Sequence, residues 1–296
     1  MGGKPRNVRR DRAGLGSLKR LAVLPALALL AACATTPDIP VGAKYVALGS
    51  SFAAGAGIPP LANDRPARCG ASALSYSRLL AAELGLSLTD ASCGGATTAD
   101  VLNASNELPP QIDAITPDTR LITITIGGND LNYMGLLFAA SCHAGVPSRR
   151  TEGTTTGPCP PVPVPDASAF NTLENNLAAM MTAVRDRAPD ARVVLVQYLS
   201  LVPEQDCAAA PLTPEHAAAA RTVARALAQA STRAAERAGT EVLPMDRLSV
   251  GHTACDAEPW VRGLSADFDA AQGAPWHPSP AGHAVIAREL TALLRD

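Results

Sequence analysis

Apolar and polar positions alternate between two kinds of stretch along most of the chain. One kind is short and continuous: residues 45–48 (Tyr-Val-Ala-Leu) stop at Gly49, residues 121–126 stop at Gly127-Gly128, and residues 193–196 form a third run. Such runs, rich in β-branched residues and closed by glycine, predict buried strands, with residues 86–90 a fourth candidate. The other kind has helical spacing. Residues 75–84 suit a helix ended by Gly85, and Leu173, Leu177, Met180, Met181 and Val184 repeat at helical intervals up to Pro189. The two methionines there read as core filler. Thr213 followed by Pro214 marks the start of a long alanine-rich helix that closes at Gly239. Ser279-Pro280 repeats that opening for a last helix running to about Leu294. Strands alternating with helices predict an α/β fold with a central parallel sheet covered on both faces. Sites in such sheets lie at the carboxyl ends of strands, which singles out the residues just after Leu48 and Ile126.

The first residues follow another pattern. Seven basic side chains (Lys4, Arg6, Arg9, Arg10, Arg12, Lys19, Arg20) precede an apolar run over residues 21–32, too short for the ~20 residues of a membrane-spanning helix. A basic segment, a short apolar segment and small residues describe an export signal over residues 1–32. The run ends Leu30-Ala31-Ala32-Cys33, which resembles a bacterial lipobox and implies a diacylglycerol on the Cys33 sulfur. Residues 33–43, with Pro37 and Pro40, then read as a tether. Ala34 stands where an aspartate retains many lipoproteins in an inner membrane, so the expected location is the outer membrane if the cell has one. Losing the signal removes seven basic groups and one acid, leaving 264 residues at a net charge of −8. Attraction to anionic headgroups is therefore not the anchor; several acyl chains supply it, at ~0.8 kcal/mol per buried CH₂.

Composition narrows the classes further. A 47% hydrophobic content excludes a wholly disordered chain, and 18% charged residues in near balance argue against a nucleic-acid partner. Aromatic residues make up 3%, which gives no support to a deep aromatic-lined pocket. Of seven cysteines, six remain after Cys33, an even number that in an exported chain predicts three disulfides. Many pairings are possible, and the sequential one is the simplest. No cysteine–histidine set has zinc-ligand spacing, and neither metal nor organic cofactor is expected. About residues 140–168, with the run Pro158-Cys159-Pro160-Pro161-Val162-Pro163-Val164-Pro165, form an irregular insertion in a single domain over residues 44–296.

The chain lacks G-x-S-x-G, H-E-x-x-H and G-x-x-x-x-G-K-[ST], which lowers the standing of three large enzyme classes. Four short segments remain. Gly49-Ser50-Ser51-Phe52-Ala53-Ala54-Gly55 follows the first strand and Cys93-Gly94-Gly95-Ala96-Thr97-Thr98 the second. Gly127-Gly128-Asn129-Asp130 follows the strongest strand, and Trp276-His277-Pro278 precedes the last helix. Each alone reads as a turn, a helix cap or a structural histidine. Together they carry the parts of acyl transfer: a serine at a helix start, a late histidine, glycine amides and a side-chain amide.

These segments, in this order over residues 44–296, resemble the SGNH hydrolases, also called GDSL esterases and lipases. The six-cysteine layout is similar to the secreted actinobacterial branch. The resemblance implies a flavodoxin-like three-layer α/β/α fold and sequential disulfides Cys69–Cys93, Cys142–Cys159 and Cys207–Cys255. It also implies Ser51 as nucleophile, His277 as general base, and an oxyanion hole of the Ser51 and Gly95 backbone N–H groups with the Asn129 side-chain amide. Two positions depart from the pattern. Ser50 stands where the family has aspartate, and Ala274 where the triad acid usually sits, three residues before the histidine. In some members of that branch a backbone carbonyl orients the histidine, so the Ala274 carbonyl is the expected partner, with Asp267 and Asp269 as lesser candidates. His283 reads as a packing residue, Asp130 as support for the Asn129 loop, and Trp276 and Phe52 as pocket lining or core. The implied activity is hydrolysis of carboxylic esters outside the cytoplasm. A non-catalytic lipoprotein binding a glycan or protein partner is the alternative, and within enzymes a glycan O-deacetylase, phospholipase or acyltransferase.

Overall fold

The computed structural model describes Gly2 and residues 39–147, 149–150, 153–154 and 157–295. Apart from Gly2, the segment expected to be an export signal over residues 1–32, the expected lipidation at Cys33 and the first part of the expected tether, up to residue 38, lie outside these residues. In chain order the elements are β1 (Lys44–Gly49), α1 (Ser51–Ala54), α2 (Tyr76–Leu84), β2 (Ser87–Asp90), α3 (Thr98–Leu102), β3 (Thr119–Thr125) and α4 (Tyr133–His143). There follow β4 (Arg149–Arg150), β5 (Gly153–Thr154), α5 (Ala167–Arg187), β6 (Arg192–Val196), α6 (Pro214–Ala238), β7 (Glu241–Leu243), α7 (Met245–Leu248) and α8 (Pro280–Arg295).

β1, β2, β3, β6 and β7 form one parallel sheet in the order β2-β1-β3-β6-β7. Leaving out the β4–β5 hairpin, this is the doubly wound order in which the chain reverses direction between β1 and β3. Every residue of β6 is buried, as are the last five of β1 and of β3. Burial on both faces explains why these strands are continuous apolar runs rather than alternating ones. α5 packs against α6, and α2 against α8. The caps follow the expected chemistry: the Thr213 hydroxyl accepts from the His216 N–H, and the Ser279 hydroxyl from the Gly282 N–H. Gly85 and Gly239 end α2 and α6 in the left-handed conformation.

α4 and β7 have no counterpart in the sequence expectation. α4 is apolar on all sides and carries no amphipathic stripe, because Leu136, Leu137, Ala139 and Ala140 are all buried. β7 has three residues, too few to show a period. The insertion is also less uniform than expected, since it contains the β4–β5 hairpin.

Three disulfides join Cys69 to Cys93, Cys142 to Cys159 and Cys207 to Cys255, closing sequence separations of 24, 17 and 48 residues. By the chain-entropy argument, cross-links of this span each contribute ~3–4 kcal/mol. They belong to an oxidising compartment. Among the described residues no helix is long and apolar enough to cross a membrane.

Candidate active site

The site begins where β1 ends. Gly49 has φ +136°, and a Cβ there would lie 2.3 Å from the Thr125 carbonyl oxygen. Only glycine fits this approach of β1 to β3, and the turn it permits delivers Ser51 as the first residue of α1. A side chain absent from the four segments fixes that turn. The Gly49 N–H donates to Gln111 Oε1 at 2.7 Å, and Gln111 Nε2 donates back to the Gly49 carbonyl at 3.0 Å. Gln111 lies in a short 3-10 helix before β3, with nothing in the local sequence to mark it.

The loop after β2 meets the same glycine. The Cys93 N–H donates to the Gly49 carbonyl at 3.0 Å, and the Gly94 N–H to the Cys69 carbonyl across the disulfide at 3.0 Å. Gly95, held in this loop, has φ +81° and open space where a Cβ would be. Asn129, after β3, donates through Nδ2 to the Ala96 carbonyl at 2.8 Å. That bond uses one amide hydrogen and leaves the other available. Among the described residues, the backbone N–H groups of Ser51 and Gly95 also have no acceptor within the protein. Asp130 anchors the loop as expected, its carboxylate accepting from both the N–H and the hydroxyl of Thr98 at the start of α3. Burial raises its pKa.

His277 reaches this corner from the opposite end of the chain. Its Nε2 lies 2.7 Å from Ser51 Oγ, and its Nδ1 lies 2.7 Å from the Pro275 carbonyl oxygen. A carbonyl can only accept, so Nδ1 carries the proton and Nε2 accepts the Ser51 hydroxyl. This is the tautomer a general base requires. The orienting group is thus Pro275, not Ala274, and the reason is local. Trp276 adopts φ +58°, a reversal that turns the carbonyl two residues back onto the imidazole. Ala274 ties the turn elsewhere, its N–H donating to the Ala56 carbonyl at 2.9 Å. Asp267 and Asp269 are spent on local bonds to Ser265 and to Ala271 and Gln272.

Trp276 itself is fully buried, its indole N–H donating to Ser141 Oγ at 3.1 Å. Phe52 packs at a tilt against two rings, 4.5 Å from that of His277 and 4.4 Å from that of Tyr198, so it packs the base rather than lining open space. His283 is buried against α2, where its Nδ1 accepts from the Tyr76 N–H.

Burial lowers the pKa of His277 from 6.5 to about 4 despite the opposing Pro275 bond, and that of His283 to about 3. Below pH 6.5 an unfolded chain would protonate both rings while the folded chain would not. The unfolded state then binds more protons, so stability falls as pH falls. We predict a lower melting temperature at pH 5 than at pH 7, above the range of ordinary exposed carboxylates; the raised pKa of buried Asp130 acts in the opposite sense and is outweighed by the two histidines. His283→Gln, which keeps an acceptor for the Tyr76 N–H, should reduce that slope; an unchanged slope refutes the assignment.

Comparison with known proteins extends this geometry to the whole chain. A protein of Streptomyces coelicolor named Lipase 2 is 33% identical over 290 residues, covering 95% of this chain and 94% of that one. The Lipase of Streptomyces rimosus is 27% identical over 270 residues, 88% of this chain and 91% of its own. In three dimensions the extracellular lipase of Streptomyces rimosus superposes with a TM-score of 0.66 at 23% identity, over 85% of this chain and 99% of its own. A phospholipase A1 from Streptomyces albidoflavus gives the same TM-score at 24% identity, with the same coverage, so both share the fold. Residues 47–285, which run from β1 into α8 and enclose all four segments, match one family of enzymes, and the chain therefore belongs to the GDSL-like lipase/acylhydrolase family.

Proposed function

We propose that the protein is an exported serine hydrolase of carboxylic esters, with Ser51 as nucleophile and His277 as general base. The observation that carries this reading is the pair of 2.7 Å bonds through His277, one to Ser51 Oγ and one to the Pro275 carbonyl. Serine is a weak nucleophile until a base takes its proton, and Nε2 stands within reach to do so. Attack on the ester carbonyl generates an oxyanion. The Ser51 and Gly95 N–H groups and the second Asn129 amide hydrogen are the donors that receive it, each worth ~2.7–4 kcal/mol in a typical acyl-transfer site. His277 then returns the proton to the leaving alcohol, and water repeats the sequence on the acyl-enzyme. A carbonyl holds the imidazole in place but stabilises imidazolium less than a carboxylate. The buried ring and its depressed pKa fit a base that stays neutral well into the acid range, so kcat/KM should hold its plateau below pH 6.5.

The test is a chain-length series of p-nitrophenyl esters with and without a fluorophosphonate. Hydrolysis that the fluorophosphonate blocks supports the reading; a protein neither hydrolysing any ester nor taking up the label is the binder instead. The lipid anchor is part of the same proposal. Cys33→Ala should move the protein from the membrane fraction to the soluble one, and a wild-type protein already soluble in the producing cell refutes anchoring.

A further inference from the structure

Tyr198, two residues beyond β6, belongs to none of the four segments, yet it touches Gly128, Ser50 and Phe52, each adjacent in sequence to a residue that the reaction needs. Its hydroxyl oxygen accepts from the Gly128 N–H at 3.0 Å and lies 3.4 Å from Ser50 Oγ. Its ring lies 4.4 Å from that of Phe52, which packs at a tilt against His277. We propose that Tyr198 is a positioning residue for the oxyanion turn: its hydroxyl holds Gly128, and through Gly128 sets where the Asn129 amide stands.

The polarity of the Gly128 bond is fixed, and one consistent arrangement follows for the others. A backbone N–H must donate, so the Tyr198 oxygen accepts from Gly128 and its own hydrogen is free for Ser50 Oγ. The Ser50 hydroxyl then points to the Thr125 carbonyl, 3.5 Å away. Burial pushes the Tyr198 pKa up to about 12, so this hydroxyl keeps its hydrogen throughout the working range. Ser50 thereby does in this chain something the usual aspartate would do differently. It offers a neutral acceptor to a neutral phenol, and no charge is placed behind the nucleophile.

Close packing makes the link specific. A Cβ on Gly128 would lie 2.8 Å from the Tyr198 hydroxyl oxygen and 2.9 Å from its ring, so Gly128 is glycine because Tyr198 is there. The packing is one-sided, however. Tyr198 also borders a cavity of about 610 Å³, lined further by Leu199, Tyr133 and Leu227. With space on that side, ring contacts alone do not fix the hydroxyl position, and the 3.0 Å bond from the Gly128 N–H does. Asn129 has its own tie to Ala96, so loss of the Tyr198 bond should loosen the turn without dismantling it.

This proposal rests on the ester-hydrolase reading, and the experiment separates the two. Using p-nitrophenyl acetate, kcat and KM are measured for the full-length wild type, Tyr198→Phe, Asn129→Ala and the double variant. Tyr198→Phe keeps the ring and should lower kcat about tenfold with KM within about twofold, as expected for a small misplacement of a catalytic donor. In the Asn129→Ala background the same change should cost less than about twofold, because its target is already gone. Gly128→Ala, which displaces the ring from the other side, should reproduce both results and serves should Tyr198→Phe fold poorly. An active wild type with Tyr198→Phe unchanged, or a tenfold loss in both backgrounds, overturns the positioning role. A wild type with no esterase activity overturns the ester-hydrolase reading and the positioning role with it.

Discussion

Ser51→Ala is expected to lower ester hydrolysis by about four to six orders of magnitude and to abolish fluorophosphonate labelling, while Ser50→Ala retains most of both. The two serines are adjacent, both buried, and both follow the same glycine. Their surroundings separate them. Ser51 Oγ is 2.7 Å from His277 Nε2, and among the described residues no other side chain accepts its hydrogen. Ser50 Oγ faces Tyr198 and the Thr125 carbonyl, neither of which is a base near neutral pH. Losing the nucleophile removes covalent catalysis altogether. Losing Ser50 Oγ removes only long contacts, and the Ser50 N–H keeps its 2.9 Å bond to Thr125. Labelling of Ser51→Ala, or its absence from Ser50→Ala, would reverse the assignment. His277→Ala should follow Ser51→Ala in rate with similar severity, because among the described residues the hydroxyl has no other acceptor.

Much of this site could be read from local sequence. Gly49, Ser51 and Asn129 follow strands whose apolar runs are unambiguous, Gly95 follows the weaker β2, and the parallel-sheet rule directs attention to those ends. What escaped has a common physical character. Gln111 clamps Gly49 from 62 residues away, through two bonds that depend on the placement of a 3-10 helix and not on any local pattern. Pro275 orients His277 only because Trp276 adopts a left-handed conformation, which a buried tryptophan does not advertise. The displacement by one residue, from Ala274 to Pro275, is the size of error expected when a family spacing is carried over to a turn of different shape. Tyr198 was the most accessible of the missed residues. It lies just past the predicted strand over residues 193–196, and the same carboxyl-end rule would have found it. The fold was legible for elements with a clear period and illegible for α4, which is apolar without an amphipathic stripe, and for β7, which is too short.

Gly49→Ala should cost the fold more than any other single-methyl addition in the site, with a melting temperature lower by about 10 °C and activity lost in proportion. Two penalties combine. The backbone at φ +136° is one that residues with a Cβ rarely adopt, at a cost of about 1–3 kcal/mol. The added methyl would also lie 2.3 Å from the Thr125 oxygen and 3.0 Å from Ala53 Cβ, both held in regular structure. Relief requires β1 to move away from β3. That movement breaks the Ser50–Thr125 backbone bond and detunes the Gln111 clamp, so the turn carrying Ser51 shifts relative to His277. Gly95→Ala provides the control, because Gly95 also has positive φ (+81°) but nothing within 4 Å of the added carbon. It should pay the conformational part alone and lose about 1–2 kcal/mol. Thermal melts of the two variants side by side measure the steric part by difference. If both fall equally, the approach of Gly49 to Thr125 is looser than these distances describe, and strain of the turn is the whole of the effect.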